Sequence, residues 1–218
     1  MRSLGLLSLG IMALASARAD FIVVSLPTAA YTSSTTLVPV PGADGSTVSS
    51  LSDINELITL ATAGQHKVVP TDWSTWSAPP SSETSTPQVV CFTTACGSSN
   101  TTSNTFTLSN ATQIFGFEAE PNGIGSSSIN ANFFNGGTLV GSISQTLSAN
   151  SGARLFAAQT NTQQFTSVTL SIAAGAGGYA VGQYRYASVA TAVPEPSTLA
   201  LLTLAAAALL LGRGIRKQ

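Results

Sequence analysis

Apolar and polar residues alternate along most of the chain from Val89 onward. A period of two is typical of β-strands with one buried and one exposed face. Ile129, Ala131 and Phe133 share one such face, and the next segment repeats the pattern through Ile143. The alternation predicts eight strands, at 89–94, 105–108, 113–119, 128–134, 138–147, 155–159, 165–172 and 179–187. The phenylalanines at 115, 117, 133, 134 and 156 are predicted core residues.

Turn-forming residues separate these strands. Asn135-Gly136-Gly137 is a hairpin signal, because Asn and Gly tolerate positive φ. Residues 174–178 (AGAGG) predict another turn, and the proline-rich stretch 77–88 predicts a loop. Short strands with turns at this spacing predict an all-β fold, a jelly-roll-like β-sandwich over residues 70–190, without fixing the strand order.

The stretch 20–69 has a weaker pattern. Residues 21–26 predict an edge strand. Residues 51–63 (LSDINELITLATA) favour a short helix with Ser52 as N-cap, and an irregular strand is the alternative. We treat this stretch as an N-terminal segment distinct from the sandwich.

The start of the chain is typical of a secretory signal peptide over residues 1–19. Arg2 supplies a positive charge, an apolar run follows, and Ala17-Arg18-Ala19 has the small residues that signal peptidase recognises. The run is about twelve residues, short of the roughly 18–20 that span a bilayer. We therefore predict export by the Sec machinery and cleavage before Asp20.

A second apolar run, residues 198–212, lies near the other end and has no polar face. It is about 15 residues long, at the short limit of a membrane span. Arg213, Arg216 and Lys217 follow it, and positive residues beside a span stay in the cytoplasm. The pattern predicts a single C-terminal transmembrane helix within a separate segment, 191–218.

Two prolines precede this run and exclude helix there, which leaves Glu195 extended and accessible. The motif Pro194-Glu195-Pro196-Ser197, the Ala/Leu run and the basic end together resemble a bacterial PEP-CTERM sorting signal. In that family an exosortase, a transpeptidase-like membrane enzyme, cuts near the motif. The resemblance implies an inner-membrane precursor that is passed to the cell envelope or outside. A lipid-anchor signal of the GPI type would need a polar spacer and no basic end.

Parts of the sandwich also resemble the domain common among PEP-CTERM proteins. The segments IFGFEAEPN, INANFFNGGTLVGSIS, GARLFAA, FTSVTLSI and GYAVGQYRYA carry this resemblance over roughly 70–188, with WSTWSAPP before them. The family is tied to exopolysaccharide and biofilm formation, and it offers no common catalytic residue.

Charge narrows the choice of partners. Between the two targeting segments, residues 20–193 hold eight acidic and three basic residues, so the net charge is −5 with His66 neutral. Such a domain cannot hold a polyphosphate backbone, which excludes nucleic-acid binding. Ser and Thr occupy 51 of these 174 positions, a composition that suits an exported β-domain or, in part, a disordered stalk.

Glu118 and Glu120 are the strongest candidates for chemistry, because two strand residues two apart share a face. They would suit acid–base work on a glycoside, or Ca²⁺ binding together with Asn122. A solvated strand end before a turn is the third interpretation. His66, the only histidine, sits in a polar stretch that predicts a surface position without a catalytic partner.

Cys91 and Cys96 occur in CFTTAC. An oxidising compartment favours a disulfide if the intervening residues turn. If the stretch were straight, the two residues would be ~17 Å apart and unable to bond. The sequence is compatible both with a disulfide between Cys91 and Cys96 and with two free thiols.

Trp73 and Trp76 frame Ser74-Thr75. Their rings could stack on sugars, or they could plug the sandwich edge. Three functions follow: a non-enzymatic envelope or matrix protein associated with exopolysaccharide, a carbohydrate-binding module that uses these tryptophans with or without Ca²⁺, and a secreted hydrolase. The last lacks a nucleophile–base set, so the protein is predicted not to be an enzyme.

Overall fold

The computed structural model describes residues 20–188, which contain the predicted N-terminal segment and sandwich. Ala17 and Ala19, the motif 194–197 and the predicted transmembrane helix 198–212 lie outside the described residues. The described strands are β1 (Ile22–Val24), β2 (Thr36–Val38), β3 (Thr47–Ser52), β4 (Leu57–Val68), β5 (Gln88–Phe92), β6 (Ser103–Pro121), β7 (Ser127–Asn135), β8 (Thr138–Leu147), β9 (Arg154–Gln159), β10 (Phe165–Ile172) and β11 (Tyr179–Ser188).

These strands form one antiparallel sheet, which confirms the all-β prediction. The order along the main path is β2-β11-β5-β4-β6-β10-β7-β8. Strand β9 adds to β6 and carries β1 on its other side, and β3 adds to β4. The two predicted strands 105–108 and 113–119 are a single long strand, β6.

The long strand β6 bends so that its two halves face each other. The rings of Phe106 and Phe117 have centroids 5.1 Å apart. On a straight strand, eleven residues would separate them by roughly 36 Å. The pairing with β10 also shifts register between Phe165 and Ser167, opposite the bend. A strand that changes layers in this way makes a corner between packed sheets.

The bend divides the sheet into two layers around a common core. We call the first layer β1, β9, β5, β11 and residues 114–121 of β6, and the second layer β7, β8, β10 and residues 103–112 of β6. Buried aromatic side chains from both layers fill the space between them: Phe106, Phe115, Phe117, Phe133, Phe156, Phe165 and Tyr184. Phe134, predicted as core, is instead half-buried, because it lies on the opposite face of β7 from Phe133.

A buried carboxylate holds the corner. Glu56 is 3% exposed, and its Oε1 accepts the backbone N–H groups of Ser109 (2.7 Å) and Asn110 (3.1 Å). The Ser109 hydroxyl donates to the same oxygen. Backbone donors at a strand bend lose their ladder partners, and the carboxylate replaces them.

The predicted helix at 51–63 is wrong. Strand β3 ends at Ser52, β4 begins at Leu57, and the two pair as a hairpin. Ile58 and Leu60 are buried with exposed residues between them, which is the period of a strand. The described helix lies earlier, at α1 (Ala29–Ser34), where the Thr28 side chain caps Tyr31.

Turns and the N-terminal strand agree with the sequence. The hairpin at 135–137 has Gly136 at φ 58°, and Ala174–Ala176 forms a 3₁₀ turn. Strand β1 lies within the predicted 21–26 edge strand. Within residues 20–188, no helix has the length and apolar character that a membrane crossing requires.

Candidate functional site

The predicted carboxylate pair and the predicted tryptophans meet in one place. Residues 70–87, which we call the tryptophan loop, connect β4 to β5 and lie over the outer face of the first layer. Trp73 Nε1 donates to Glu120 Oε2 at 2.9 Å, and Trp76 Nε1 donates to Glu118 Oε2 at 3.1 Å. Both carboxyl groups are 0% exposed. Each buried carboxyl therefore has an indole N–H as a partner, as a buried polar group requires.

A second anchor fastens the far side of the loop. The backbone N–H of Glu83 donates to Glu118 Oε1 at 2.7 Å, and the Glu83 carboxylate pairs with Arg185 of β11. Arg185 Nη1 also donates to the backbone oxygens of Thr32 (3.1 Å) and Thr35 (3.0 Å) at the end of α1. One guanidinium thus connects the loop, the sheet and the helix.

Burial changes the acidity of both carboxyl groups. Loss of solvent raises the pKa of Glu118 to about 7, although the Glu83 N–H and the Trp76 indole act in the opposite direction. Burial likewise raises the pKa of Glu120 to about 7, against the lowering effect of the Thr75 and Trp73 side chains. Both pKa values are therefore raised well above the usual range of a carboxyl group, and Glu120 Oε1 is buried without a hydrogen-bond partner among the described residues.

Two adjoining pockets flank the tip of the loop. The larger, about 410 Å³, is lined by five polar residues and five others. The polar residues are Asp72, Ser74, Thr75, Asn122 and Asn150, and the others are Trp73, Ala95, Cys96, Ile124 and Ala149. The smaller, about 250 Å³, shares Ser74, Thr75 and Asn150 with it and is bordered by Trp76. A polar cleft therefore runs along Ser74-Thr75.

The wall opposite the loop is fixed by Arg154. Its Nη1 donates to Ser77 Oγ (2.6 Å) and to the backbone oxygen of Ser151 (2.8 Å). Gly152 has φ 70°, and an added Cβ would lie 2.5 Å from Ser77 Oγ. A glycine is required here because both the backbone conformation and the close approach exclude a side chain.

The predicted metal ligands Glu118, Glu120 and Asn122 already have hydrogen-bond partners within the protein. Asn122 Nδ2 donates to the backbone oxygen of Gly177 at 3.3 Å, while Glu118 and Glu120 are engaged by the indoles. Within residues 20–188, no group of three or more His, Cys, Asp and Glu side chains is arranged to hold a metal ion. A calcium ion at Glu118 or Glu120 would have to displace the tryptophan loop.

The tryptophans differ in exposure. Trp73 is 6% exposed and packs with Val69, Val89, Cys91 and Ala180, whereas Trp76 is half-buried at the edge of that cluster. An indole as buried as Trp73 has little ring surface to offer a sugar. Trp73 lines the larger pocket and Trp76 lines the smaller one, and of the two only Trp76 is half-buried.

The cysteines lie beside the same loop. Cys91 on β5 is bonded to Cys96 in the 3₁₀ turn Thr94–Cys96, with their Cα atoms 6.3 Å apart. The turn shortens the distance that a straight segment would impose. Ala95 and Cys96 also line the larger pocket, so the disulfide fixes one of its walls.

His66 is buried, contrary to the predicted surface position. It lies on the inward-facing register of β4 and is 2% exposed. His66 lies opposite Val90 of the neighbouring strand β5. Neither nitrogen of the His66 ring has a hydrogen-bond partner among the described residues.

Asp20, predicted to begin the processed chain, is held by a loop. Its carboxylate accepts the backbone N–H groups of Asn161 and Thr162 at 2.7 Å, and the Thr162 hydroxyl. The Thr162 hydroxyl, followed by these N–H groups, lowers the pKa of Asp20 to about 2. The next residue, Phe21, packs edge-on against Phe133 and Phe165.

Sequence reasoning missed Glu83 as a site residue, and with it the pairing of Arg185 with Glu83. Glu83 lies in a stretch predicted only as a loop, and Arg185 lies on a predicted strand. A usable signal was the scarcity of cations: with three basic residues among eight acidic ones, an arginine on a strand indicates a specific carboxylate partner.

Comparison with known proteins settles the C-terminal segment. Residues 192–217 match the family model of the PEP-CTERM protein-sorting motif. The chain carries a PEP-CTERM sorting motif. This motif implies an exported protein that is processed by exosortase, a membrane enzyme, from a membrane-anchored precursor. The PEP-CTERM resemblance noted at Pro194-Glu195-Pro196 is thereby confirmed.

Other comparisons add little to the PEP-CTERM motif. No curated protein matches the chain. Among solved structures, the chain is similar to the enzymatically active domain of tailspike protein 4 of bacteriophage CBA120, with 16% identity and a TM-score of 0.31. The similarity covers 71% of this chain and 19% of the tailspike chain, so the chain spans about a fifth of that protein. Similarity at this level assigns no function.

Proposed function

We propose that the protein is a non-enzymatic component of the cell envelope or extracellular matrix that associates with exopolysaccharide in a biofilm. The PEP-CTERM motif carries this proposal, because it implies export and processing by exosortase. Further support comes from the carboxyl pair. The groups best suited to acid–base catalysis are covered and bonded to tryptophan. We also propose that the sandwich has jelly-roll topology and that signal peptidase removes residues 1–19.

Replacement of Glu195 tests the sorting step. The variant Glu195→Ala should leave uncleaved protein in the membrane fraction, because the enzyme reads the extended motif. The matched control, Thr191→Ala, lies outside residues 192–217 and should be processed normally. Cell fractionation and mass spectrometry of the C-terminus measure both. Unchanged release of the Glu195→Ala protein contradicts the sorting part of the proposal.

A second candidate function is carbohydrate binding at the tryptophan loop. The observation that favours it is the polar cleft along Ser74-Thr75, where two pockets meet beside Trp76. Hydroxyl and amide side chains offer both donors and acceptors to a sugar. A calcium requirement belongs to this candidate only if the loop opens above Glu118.

A glycan array, with and without Ca²⁺, tests this second function. We expect Trp76→Ala and Asn150→Asp to reduce any binding in the cleft, while Ser33→Asp on α1 leaves it unchanged. An array that stays blank under both conditions removes the candidate, and it leaves the sorting proposal intact.

A further inference from the structure

The outer face of the second layer carries short polar side chains in rows that cross four strands. Burial alternates along each strand, so these side chains point away from the core. The first row is Ser103, Ser171, Asn130 and Ser144. The second row is Thr105, Thr169, Asn132 and Ser142. We call these eight residues the hydroxyl–amide face.

The hydroxyl–amide face has no charge. Strands β7, β8 and β10 and residues 103–112 of β6 contain no Asp, Glu, Lys, Arg or His. Protein surfaces ordinarily mix both signs of charge, and exposed edge strands such as β8 are often protected by lysine. A surface without charges cannot attract a polyanion or an anionic lipid surface. It suits a partner that is itself neutral.

The face presents many hydrogen-bonding groups at regular spacing. Rows repeat every second residue, about 6.7 Å along a strand, and strands lie about 4.8 Å apart. In the second row Thr105 and Thr169 hydroxyls bond at 2.9 Å, and Ser142 donates to Asn132 at 2.7 Å. Within the described part of the chain, the first-row side chains make no such bonds to one another. Hydroxyls and amides both donate and accept, as sugar hydroxyls do.

An aromatic ring borders this surface. Phe134 follows Asn132 on the outward side of β7, opposite Ser167 of β10 and Leu139 of β8. Phe134 is half-buried and Leu139 is 54% exposed. A half-buried ring beside neutral donors and acceptors suits a sugar, which has apolar C–H faces and polar hydroxyl edges.

The outer faces of the first and second layers differ in which segments of the chain pack on them. The tryptophan loop and α1 cover the first layer, where Tyr31 packs on Leu155 and Ala157. By contrast, the eight residues of the hydroxyl–amide face are exposed or half-buried, and the side-chain hydrogen bonds described for them join residues of this face.

We propose that the hydroxyl–amide face, with Phe134 at its border, is the surface that contacts a neutral polysaccharide chain. The proposal rests on the proposed association with exopolysaccharide and locates it on this face, away from the cleft at the tryptophan loop. Binding arises from several weak hydrogen bonds and one aromatic contact. Because no ion pair is involved, added salt has little effect on it.

Sedimentation with insoluble polysaccharides tests the proposal. The full chain, exported and purified, is incubated with microcrystalline cellulose, cross-linked dextran beads and alginate beads, the last as an acidic probe. We expect wild-type protein to sediment with at least one neutral polymer and not with alginate. The bound fraction should change by less than about twofold between low and high salt, since charge screening has nothing to weaken.

Two isosteric variants give the decisive comparison. Asn130→Asp puts a charge at the centre of the face and should lower the bound fraction about tenfold, because a bound polymer would desolvate it. Asn150→Asp puts the same charge in the tryptophan-loop cleft and lowers binding only if the polymer lies there. Ser33→Asp on α1 is the control that should leave binding unchanged. Phe134→Ala should also weaken binding. Thermal midpoints within a few degrees of wild type show that each variant is folded.

Each remaining outcome overturns a specific part of the proposal. If wild type binds and only Asn150→Asp loses binding, the face is wrong and the association stands. If wild type sediments with neither neutral polymer, both the face and the polysaccharide association fail. If the protein instead forms dimers that Asn130→Asp dissociates in sedimentation velocity, the face is a self-association surface.

Discussion

The two outer faces of the folded sheet contain very different chemistry. The first face contains two carboxyl groups, and a loop with two tryptophans covers both. The second face contains only uncharged side chains around Asn130 and Asn132, and the described residues leave it open. Acidic groups can be buried in a sheet when donors are built over them, whereas uncharged groups are stable in water without cover.

Among single substitutions, removal of the cover from the first face should have the largest effect on stability. Trp73→Ala deletes a buried indole and leaves Glu120 without that donor, so we expect a loss of about 4 kcal/mol in the free energy of unfolding. Trp76→Ala, at a half-buried position, should cost less. Urea denaturation of both variants measures the difference. An equal or smaller loss for Trp73→Ala would contradict this arrangement.

The faces should also differ in how they make stability depend on pH, because only the first face contains buried carboxyl groups. Burial raises the pKa of Glu118 and Glu120 from 4.5 to about 7, so the folded state holds these protons more tightly than the unfolded state. The two protonated carboxyl groups make their full contribution to the free energy of unfolding below pH 4.5. This contribution is lost as the pH rises to 7, by at most about 3 kcal/mol per group. The low pKa of Asp20 acts below about pH 4, outside this window.

The variant Glu118→Gln/Glu120→Gln checks this pH dependence. Urea denaturation at about pH 5 and about pH 8 should give a smaller difference for the variant than for wild type, because a glutamine does not ionise. A variant with Asn130→Gln on the second face is the control and should retain the wild-type slope. If all three proteins show the same change in the free energy of unfolding between the two pH values, the carboxyl groups are not the source of the pH dependence.

The disulfide at the margin of the first face should contribute less. It closes a short loop, so replacing Cys91 and Cys96 by Ala should cost about 2 kcal/mol, at the low end for disulfides. Thermal unfolding with and without reductant measures it. Reductant should lower the midpoint of wild type and leave the double variant unchanged; sensitivity of the double variant would disprove the assignment.

The smallest effect is expected on the second face. Ser144→Asp changes an exposed side chain with no described hydrogen-bond partner, so unfolding should shift by no more than about 0.5 kcal/mol. Chemical denaturation near neutral pH checks this. A loss comparable with that of Trp73→Ala would mean that this face is not open.

Local pattern predicted the strands well where alternation was strict, as at Ile129, Ala131 and Phe133, which are all buried. It failed at 51–63, where the apolar spacing of Leu51, Ile54 and Ile58 imitates a helix. Ile54 is in fact 95% exposed in the turn between two strands. The carboxylate of Glu56 reaches Ser109, far along the chain, and no local preference reports such a bond.

The residues of the candidate site could be predicted from the sequence, but their arrangement in space could not. Glu118, Glu120, Trp73 and Trp76 each stood out, yet 42 and 47 positions separate the members of each bonded pair. Their pairing depends on the tryptophan loop crossing the sheet. Neither the raised pKa of the carboxyl groups nor the burial of Trp73 has a local cause.

Local sequence pattern was enough to predict the sorting motif and the all-β class, because both depend on residues close together in the chain: a Pro-Glu-Pro motif beside an apolar run, and a period of two. Tertiary structure alone decided the bend in β6, the cover over Glu118 and Glu120 and the open hydroxyl–amide face. These features arise from contacts between distant segments, and their free energy depends on which groups the fold removes from water.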